Sequence, residues 1–264
     1  MRPERVLHHL SQLGGMGHQE VVLTGIHLGA YGLDLSPPTH LLDLLERIET
    51  HRPVARIRLS SIEPNEVSRD IIAQVASSAI LCPHFHLPLQ SGDDTILKKM
   101  HRPYTQELFR QQVIAINYRM PQAAVGADVL VGFPGENDHA FTNTARLLEE
   151  LPLSYLHVFP FSRRPGTPAC DYPDQVDTKI IKQRTARIRA IGREKKQAFL
   201  RKAVGQNANV LVETRRVAAT GHLIGLTANY QRVLVEGPDR HMNTIVPTLI
   251  ESVHPTGNLW GRMV

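Results

Sequence analysis

Apolar positions in the first 160 residues alternate between two periods. Val6, Leu7, Leu10 and Leu13 recur at helical spacing and stop at Gly14-Gly15, which predicts an amphipathic helix over residues 3–17. Glu20 to Thr24 is then a short apolar strand, followed by the glycine-rich loop Gly25 to Gly32 and a leucine-rich helix over residues 40–50. The alternation continues with a strand at Arg56 to Ser60, a helix from Ser68 to Ser77, and a strand at Phe85 to Leu89 that breaks at Ser91-Gly92. Ile96, Leu97 and Met100 mark the next helix, with Ser91 or Asp93 as its cap, and a helix over residues 105–118 follows behind Thr105. Ala124 to Val131, a helix over 138–150, and Tyr155 to Phe159 complete the series. Five strands, each ending in a polar or glycine-bearing loop and separated by helices, predict a parallel βα array of barrel type.

After Pro173 the pattern changes. Ile181, Ile188, Ile191 and Phe199 lie on one long helix, and between Lys179 and Lys202 there are ten Lys or Arg against one acid, Glu194. Such a face reads equally as an ordinary solvated helix surface or as a site for a polyanion. From about Val204 the periodicity becomes that of short strands: Ala208 to Thr214, Gly221 to Gly225, Tyr230 to Glu236 and Thr244 to Val253, as in a small barrel. Three segments follow: residues 1–173, a partial parallel barrel; 174–203, a basic connecting helix; and 204–264, an all-β barrel.

Composition adds two constraints. The 264 residues carry 30 Lys+Arg against 25 Asp+Glu, a formal charge of +5, which favours an anionic partner, with nucleic acid first. Cys82 and Cys170 are the only cysteines, and a spacing of this kind makes neither a metal motif nor a disulfide framework. The start Met1-Arg2-Pro3-Glu4-Arg5 has no signal-peptide apolar segment and no run is long enough to span a bilayer, so a cytoplasmic location is expected. Neither G-x-S-x-G nor G-x-x-x-x-G-K occurs, which sets hydrolase and nucleotide triphosphatase chemistry aside. His84 and His86 share one strand face, but no third metal ligand stands at a recognisable spacing from them. Gln90 is the unusual residue: a polar side chain ending an apolar strand, where ligands of parallel α/β folds bind.

Six motifs stand in order: V-L-T-G-I-H-L-G-A-Y-G, R-L-S-S-I-E-P, H-F-H-L-P-L-Q-S-G, M-H-R-P-Y, D-V-L-V-G-F-P-G-E and H-V-F-P-F-S-R-R-P-G-T-P-A. In that order and spacing they resemble the radical S-adenosylmethionine methylthiotransferases, most closely the branch acting on threonylcarbamoyladenosine in tRNA. Residues 204–264 resemble the TRAM domain that ends those proteins. The resemblance implies a tRNA-modifying enzyme using S-adenosylmethionine and [4Fe-4S] clusters. Gly25, Ser61, Glu63, Gln90, Arg102 and Gly132 would hold the cofactor, with Arg102 clamping its carboxylate and Gly132 passing beside the adenine. Glu63 also reads as a helix-initiating acid and Arg102 as a surface cation. His27 stands where the related loop more often has an amide. Lys182, Arg184, Arg187, Arg189, Arg193, Lys195 and Lys196 would contact tRNA.

The family's cluster-binding C-x-x-x-C-x-x-C loop is absent from this sequence. The chain therefore resembles an N-terminally incomplete member lacking the first barrel strand, inactive alone: a fragment, a misassigned start, or one half of a split enzyme whose cluster-bearing half is separately encoded. A non-catalytic RNA-binding remnant is the alternative.

Overall fold

The computed structural model describes residues 1–264. Helices α1 (Pro3–Gly15), α2 (Leu41–His51), α3 (Arg69–Ser77), α4 (Asp94–Lys99), α5 (Gln106–Arg119) and α6 (Asp138–Glu150) alternate with strands β1 (Glu20–Leu23), β2 (Arg56–Leu59), β3 (His84–Gln90), β4 (Ala124–Val131) and β5 (Tyr155–Pro160). Four of these helix starts carry side-chain caps: Ser68 accepts from Ile71 N–H, Asp93 from Thr95 and Ile96, Thr105 from Leu108, and Asn137 from Ala140.

All five strands run parallel. β1 pairs with β2, and β3, β4 and β5 form a second group. Isolated bridges at Ile57/Leu81 and Ser61/His86 join the two groups across β2 and β3. Side chains alternate across the strands. Phe85, Leu87 and Leu89 of β3 and Val125, Ala127 and Val129 of β4 face the helices and are buried with Leu45, Ile48, Phe109, Val113 and Leu148. The opposite face of the same strands carries Arg56, Arg58, His84, His86, Asp128, Tyr155 and His157, so the concave side of the array is polar. Gly126 lies on that side because the Tyr155 ring passes directly over it, leaving no room for a Cβ.

Helix α7 (Thr178–Ala203) belongs to two cores. Ile188 and Ile191 are part of the main core of 36 buried residues, whereas Leu200 belongs to a separate core of eight, built with Val210, Val212, Leu223, Val233, Val235, Ile250 and Leu259. That second core fills a closed barrel of β6 (Asn207–Arg216), β7 (Leu223–Thr227), β8 (Arg232–Val235), β9 (Ile245–Val253) and β10 (Leu259–Met263), in the order β10-β8-β7-β6-β9. The pattern reading gave four strands here. It missed β10, whose L-W-G-R-M run is too short and too mixed to show a period, and it began β7 and β8 about two residues early. Gly221 and Tyr230 have φ of +72 and +65, so both are turn residues.

The small barrel seats on the amino-terminal end of the parallel strands. Arg56 donates to the carbonyls of Leu226 and Asn209 at 3.1 and 2.6 Å, and Arg58 donates to those of Ala228 and Thr227 at 2.8 and 3.3 Å. Glu20, from β1, holds Arg58 through a two-pronged pair at 2.8 and 3.0 Å. Tyr230 completes the seat, its ring tilted against that of His84 with centroids 4.6 Å apart and lying under the Arg58 guanidinium. With one end covered, the carboxyl ends of the strands and their loops remain the open end of the cavity.

Candidate functional site at the carboxyl ends of the strands

Gln90 terminates β3 in the left-handed region, φ +63, where the β3/β4 register also shifts. A side chain rarely adopts this conformation, and such outliers gather where a loop must present polar groups to a ligand. In the turn after α4, Arg102 donates to Glu63 Oε1 at 3.0 Å. Both residues have atoms left over: Glu63 Oε2 and Arg102 Nε are buried with no hydrogen-bond partner in the protein. A buried acceptor and donor without partners cost about 1–3 kcal/mol each unless a ligand satisfies them. The tethers are firm, since Tyr104, two residues after Arg102, donates to the Pro88 carbonyl at 2.8 Å.

Ser61 stands at the end of β2, where its hydroxyl lies 2.6 Å from Nδ1 of His86. Gly25 follows β1 on an open loop. A Cβ there would meet Leu28 Cα at 3.7 Å, an ordinary contact, so the chain's own packing does not demand glycine. Gly132 differs. Its φ is +83, and a Cβ would collide with Ile181 of α7, so its glycine is required by the turn and by the helix behind it. The turn and the helix therefore account for glycine here by themselves. His27 pairs with Glu66 at 2.8 Å, and burial raises the Glu66 carboxyl despite that histidine.

The loop after β4 is stitched to α7. Glu136 accepts from Gly132 N–H at 3.1 Å and from Arg184 at 2.8 Å, and Arg184 also reaches Asp138 at 2.7 Å. Burial is the leading influence on Glu136 and raises its carboxyl. Arg184, expected on the RNA-facing surface, is buried and fully engaged in this loop. Lys195 is likewise diverted: it donates to the carbonyls of Glu149 and Leu151, capping the end of α6. Helical phase explains both, because residues 184, 188 and 191 share the stripe facing the core. Lys182, Arg187, Arg189, Arg193 and Lys196 are exposed. Arg189, Arg193 and Lys196 line a groove between α7 and β5 that also contains His157 and Phe159.

The two histidines of β3 do not act as a pair. His84 Nε2 lies 2.7 Å from the Tyr155 hydroxyl, and burial, aided by Arg58 and His86, pushes the His84 pKa down to about 3. His86 instead faces Asp128 of β4, Nε2 to Oδ1 at 3.0 Å, with His157 of β5 alongside. Asp128 and His157 escaped the sequence reading. Their signal was a polar residue at every second position of an otherwise apolar strand, and parallel pairing sets them at the same level, Asp128 opposite His157.

His84 carries a pH prediction. Its native pKa lies below the ordinary 6.5, so between those values the unfolded chain binds a proton that the folded one refuses. Stability should therefore fall as pH drops from about 6.5 toward about 3, by up to a few kcal/mol at roughly 1.4 kcal/mol per unit. Urea unfolding of wild type and His84→Asn across that window checks it; parallel curves for the two proteins would remove His84 as the cause.

An iron–sulfur cluster needs several thiolates. Cys82 is buried between Glu20 and the two arginines, its thiol pushed up to about 12 by burial, and Cys170 lies on a separate turn. The cysteines of this chain do not fit a cluster.

The model of the radical SAM superfamily matches residues 1–148. Among curated proteins, the threonylcarbamoyladenosine tRNA methylthiotransferase MtaB of Bacillus subtilis is 35% identical over 251 residues, covering 94% of this chain and 55% of its own length. A tRNA-2-methylthio-N(6)-dimethylallyladenosine synthase of Pelotomaculum thermopropionicum is 34% identical over 97% of this chain and 58% of its own length. The chain thus spans a little over half the length of these relatives. In three dimensions, coproporphyrinogen III oxidase (HemN) of Escherichia coli, a radical SAM enzyme, superposes with a TM-score of 0.54 at 11% identity, covering 98% of this chain and 64% of that one. The sequence match over more than half of the chain and the shared parallel-strand architecture agree: this chain belongs to the radical SAM superfamily.

Proposed function

We propose that this chain is the substrate- and cofactor-handling part of a tRNA methylthiotransferase, acting on a modified adenosine. The single observation that carries the reading is the unpartnered pair Glu63 Oε2 and Arg102 Nε beside the strained Gln90, a polar ligand seat at the end of a parallel array. S-adenosylmethionine fits it: Arg102 suits its carboxylate, while Ser61, Glu63 and Gln90 offer groups for its amine and ribose hydroxyls. Gly25 and Gly132 contribute backbone only. When bound, the cofactor supplies the radical and sulfur-methylating chemistry; these residues bind and orient it. The cluster thiolates have to come from outside these 264 residues, from a preceding segment or a separately encoded half.

RNA would lie along the α7/β5 groove and onto the small barrel, which we read as TRAM-like. Exposed Arg189, Arg193 and Lys196 match phosphates, and Phe159, 51% exposed, offers a stacking face. The full chain should bind tRNA with an affinity that falls steeply with salt, because each neutralised phosphate releases counterions. Replacing Arg189, Arg193 and Lys196 together by Ser should flatten the slope of log K against log salt by about two to three, at roughly 0.7–0.9 per phosphate contact. An unchanged slope would move the RNA surface elsewhere. Tight tRNA binding with no S-adenosylmethionine binding would favour the alternative, a non-catalytic RNA-binding remnant, for which the cysteine count speaks.

A further inference from the structure

We propose that His86, Asp128 and His157 form a site for a single divalent transition-metal ion in the wall of the parallel-strand cavity, separate from any iron–sulfur cluster. Each residue offers one ligand atom, and the three atoms lie within 4.8 Å of one another. They come from three adjacent strands, β3, β4 and β5, whose parallel hydrogen bonding fixes their spacing. The framework is thus rigid, as a metal site requires.

Three further observations point to a cation. First, His86 Nδ1 is held by the Ser61 hydroxyl at 2.6 Å, the outer contact that orients a metal-binding imidazole. In the tautomer with Nδ1–H donating to Ser61, the Nε2 lone pair points into the cluster, which is the form a metal ion selects. Second, His86 Nε2 and Asp128 Oδ1 are both buried and 3.0 Å apart, yet neither has a hydrogen-bond partner in the protein. In that tautomer two acceptor atoms face each other at 3.0 Å, a separation that two ligands of one ion take, and an ion bound to both would satisfy them. Third, the cluster is reachable. His157 is exposed on the α7/β5 groove, so an ion and a further ligand can enter from solvent.

The donor set defines the ion. Two imidazoles and one carboxylate, without thiolate, suit zinc or ferrous iron over calcium or magnesium. Three protein ligands leave at least one coordination position for water or a polar substrate group. His84 takes no part: its Nε2 is engaged by the Tyr155 hydroxyl at 2.7 Å, and it is not among the residues whose ligand atoms converge.

The test uses the full 264-residue chain, stripped with chelator and titrated with cobalt(II), whose visible bands report coordination, and with zinc by calorimetry. One equivalent should bind with bands of a four- or five-coordinate nitrogen and oxygen site. Asp128→Asn and His157→Ala should each abolish stoichiometric binding, and Ser61→Ala should weaken it by about 10–100-fold. His84→Asn should bind as wild type does. Circular dichroism of every variant separates ligand loss from misfolding, and His157→Ala, altering an exposed side chain, is the variant least coupled to the core. No stoichiometric binding by the wild type, or binding that survives in the Asp128→Asn/His157→Ala double variant, overturns the proposal.

Discussion

Arg58→Ala should destabilise the protein by about 3–5 kcal/mol, the usual cost of leaving a buried charge without its partner. Arg58 is 3% exposed and joins three elements: the carboxylate of Glu20 on β1, and the carbonyls of Thr227 and Ala228 in the small barrel. Removing it strands Glu20 beside Cys82 and takes the Arg58 hydrogen bond from the Ala228 carbonyl, while the Thr227 carbonyl keeps that of Tyr230 N–H. Arg56 cannot replace it, since its nearest approach to Glu20 is 3.8 Å and its own hydrogens go to Asn209 and Leu226. Because the small barrel has its own core, the loss should also uncouple unfolding, giving two transitions in guanidinium where the wild type gives one. Arg47→Ala is the control. Its pair with Glu4 is about half exposed or more on both sides, and such pairs contribute about 0–1 kcal/mol. A shift for Arg58→Ala no larger than that of Arg47→Ala would show that the seat of the small barrel does not depend on this guanidinium.

The second large effect is an all-or-none result. Anaerobic treatment of the chain alone with iron and sulfide should leave no stoichiometric [4Fe-4S] cluster and produce no reductive cleavage of S-adenosylmethionine. The reason is chemical: the two cysteines lie far apart, and Cys82 is held as a thiol by its burial. The same preparation should still bind S-adenosylmethionine through the Glu63/Arg102 seat, and Arg102→Ala should remove that binding. Supplying a C-x-x-x-C-x-x-C segment, fused or in trans, should bring both cluster and cleavage. Four irons per chain in the protein as it stands, with the matching visible absorption, would contradict the cysteine argument; cleavage that does not appear even with the added segment would contradict the enzyme reading.

Much of the fold was legible in the order of residues because it rests on local rules. Period-two and period-3.6 burial placed all five parallel strands and the helices between them within a residue or two, and Asp93 and Thr105 cap where their side chains predict. Gln90 could be singled out because a polar residue ending an apolar strand is a local anomaly, and its left-handed backbone accounts for it. The number and spacing of cysteines likewise raised the cluster expectation without coordinates.

Only the tertiary structure could decide which member of a charged series is free. Lys182 and Arg184 are both cations of one helix, yet helical phase sends Arg184 into the loop after β4 and leaves Lys182 in solvent. The same holds for Arg56 and Arg58, whose strand reads as ordinary and whose partners lie some 150 or more positions away, at Asn209 and Ala228. His86, Asp128 and His157 are separated by 42 and 29 positions, and nothing in their spacing marks them. They meet because three parallel strands are in register, and register is set by pairing between strands, which no single stretch of chain contains.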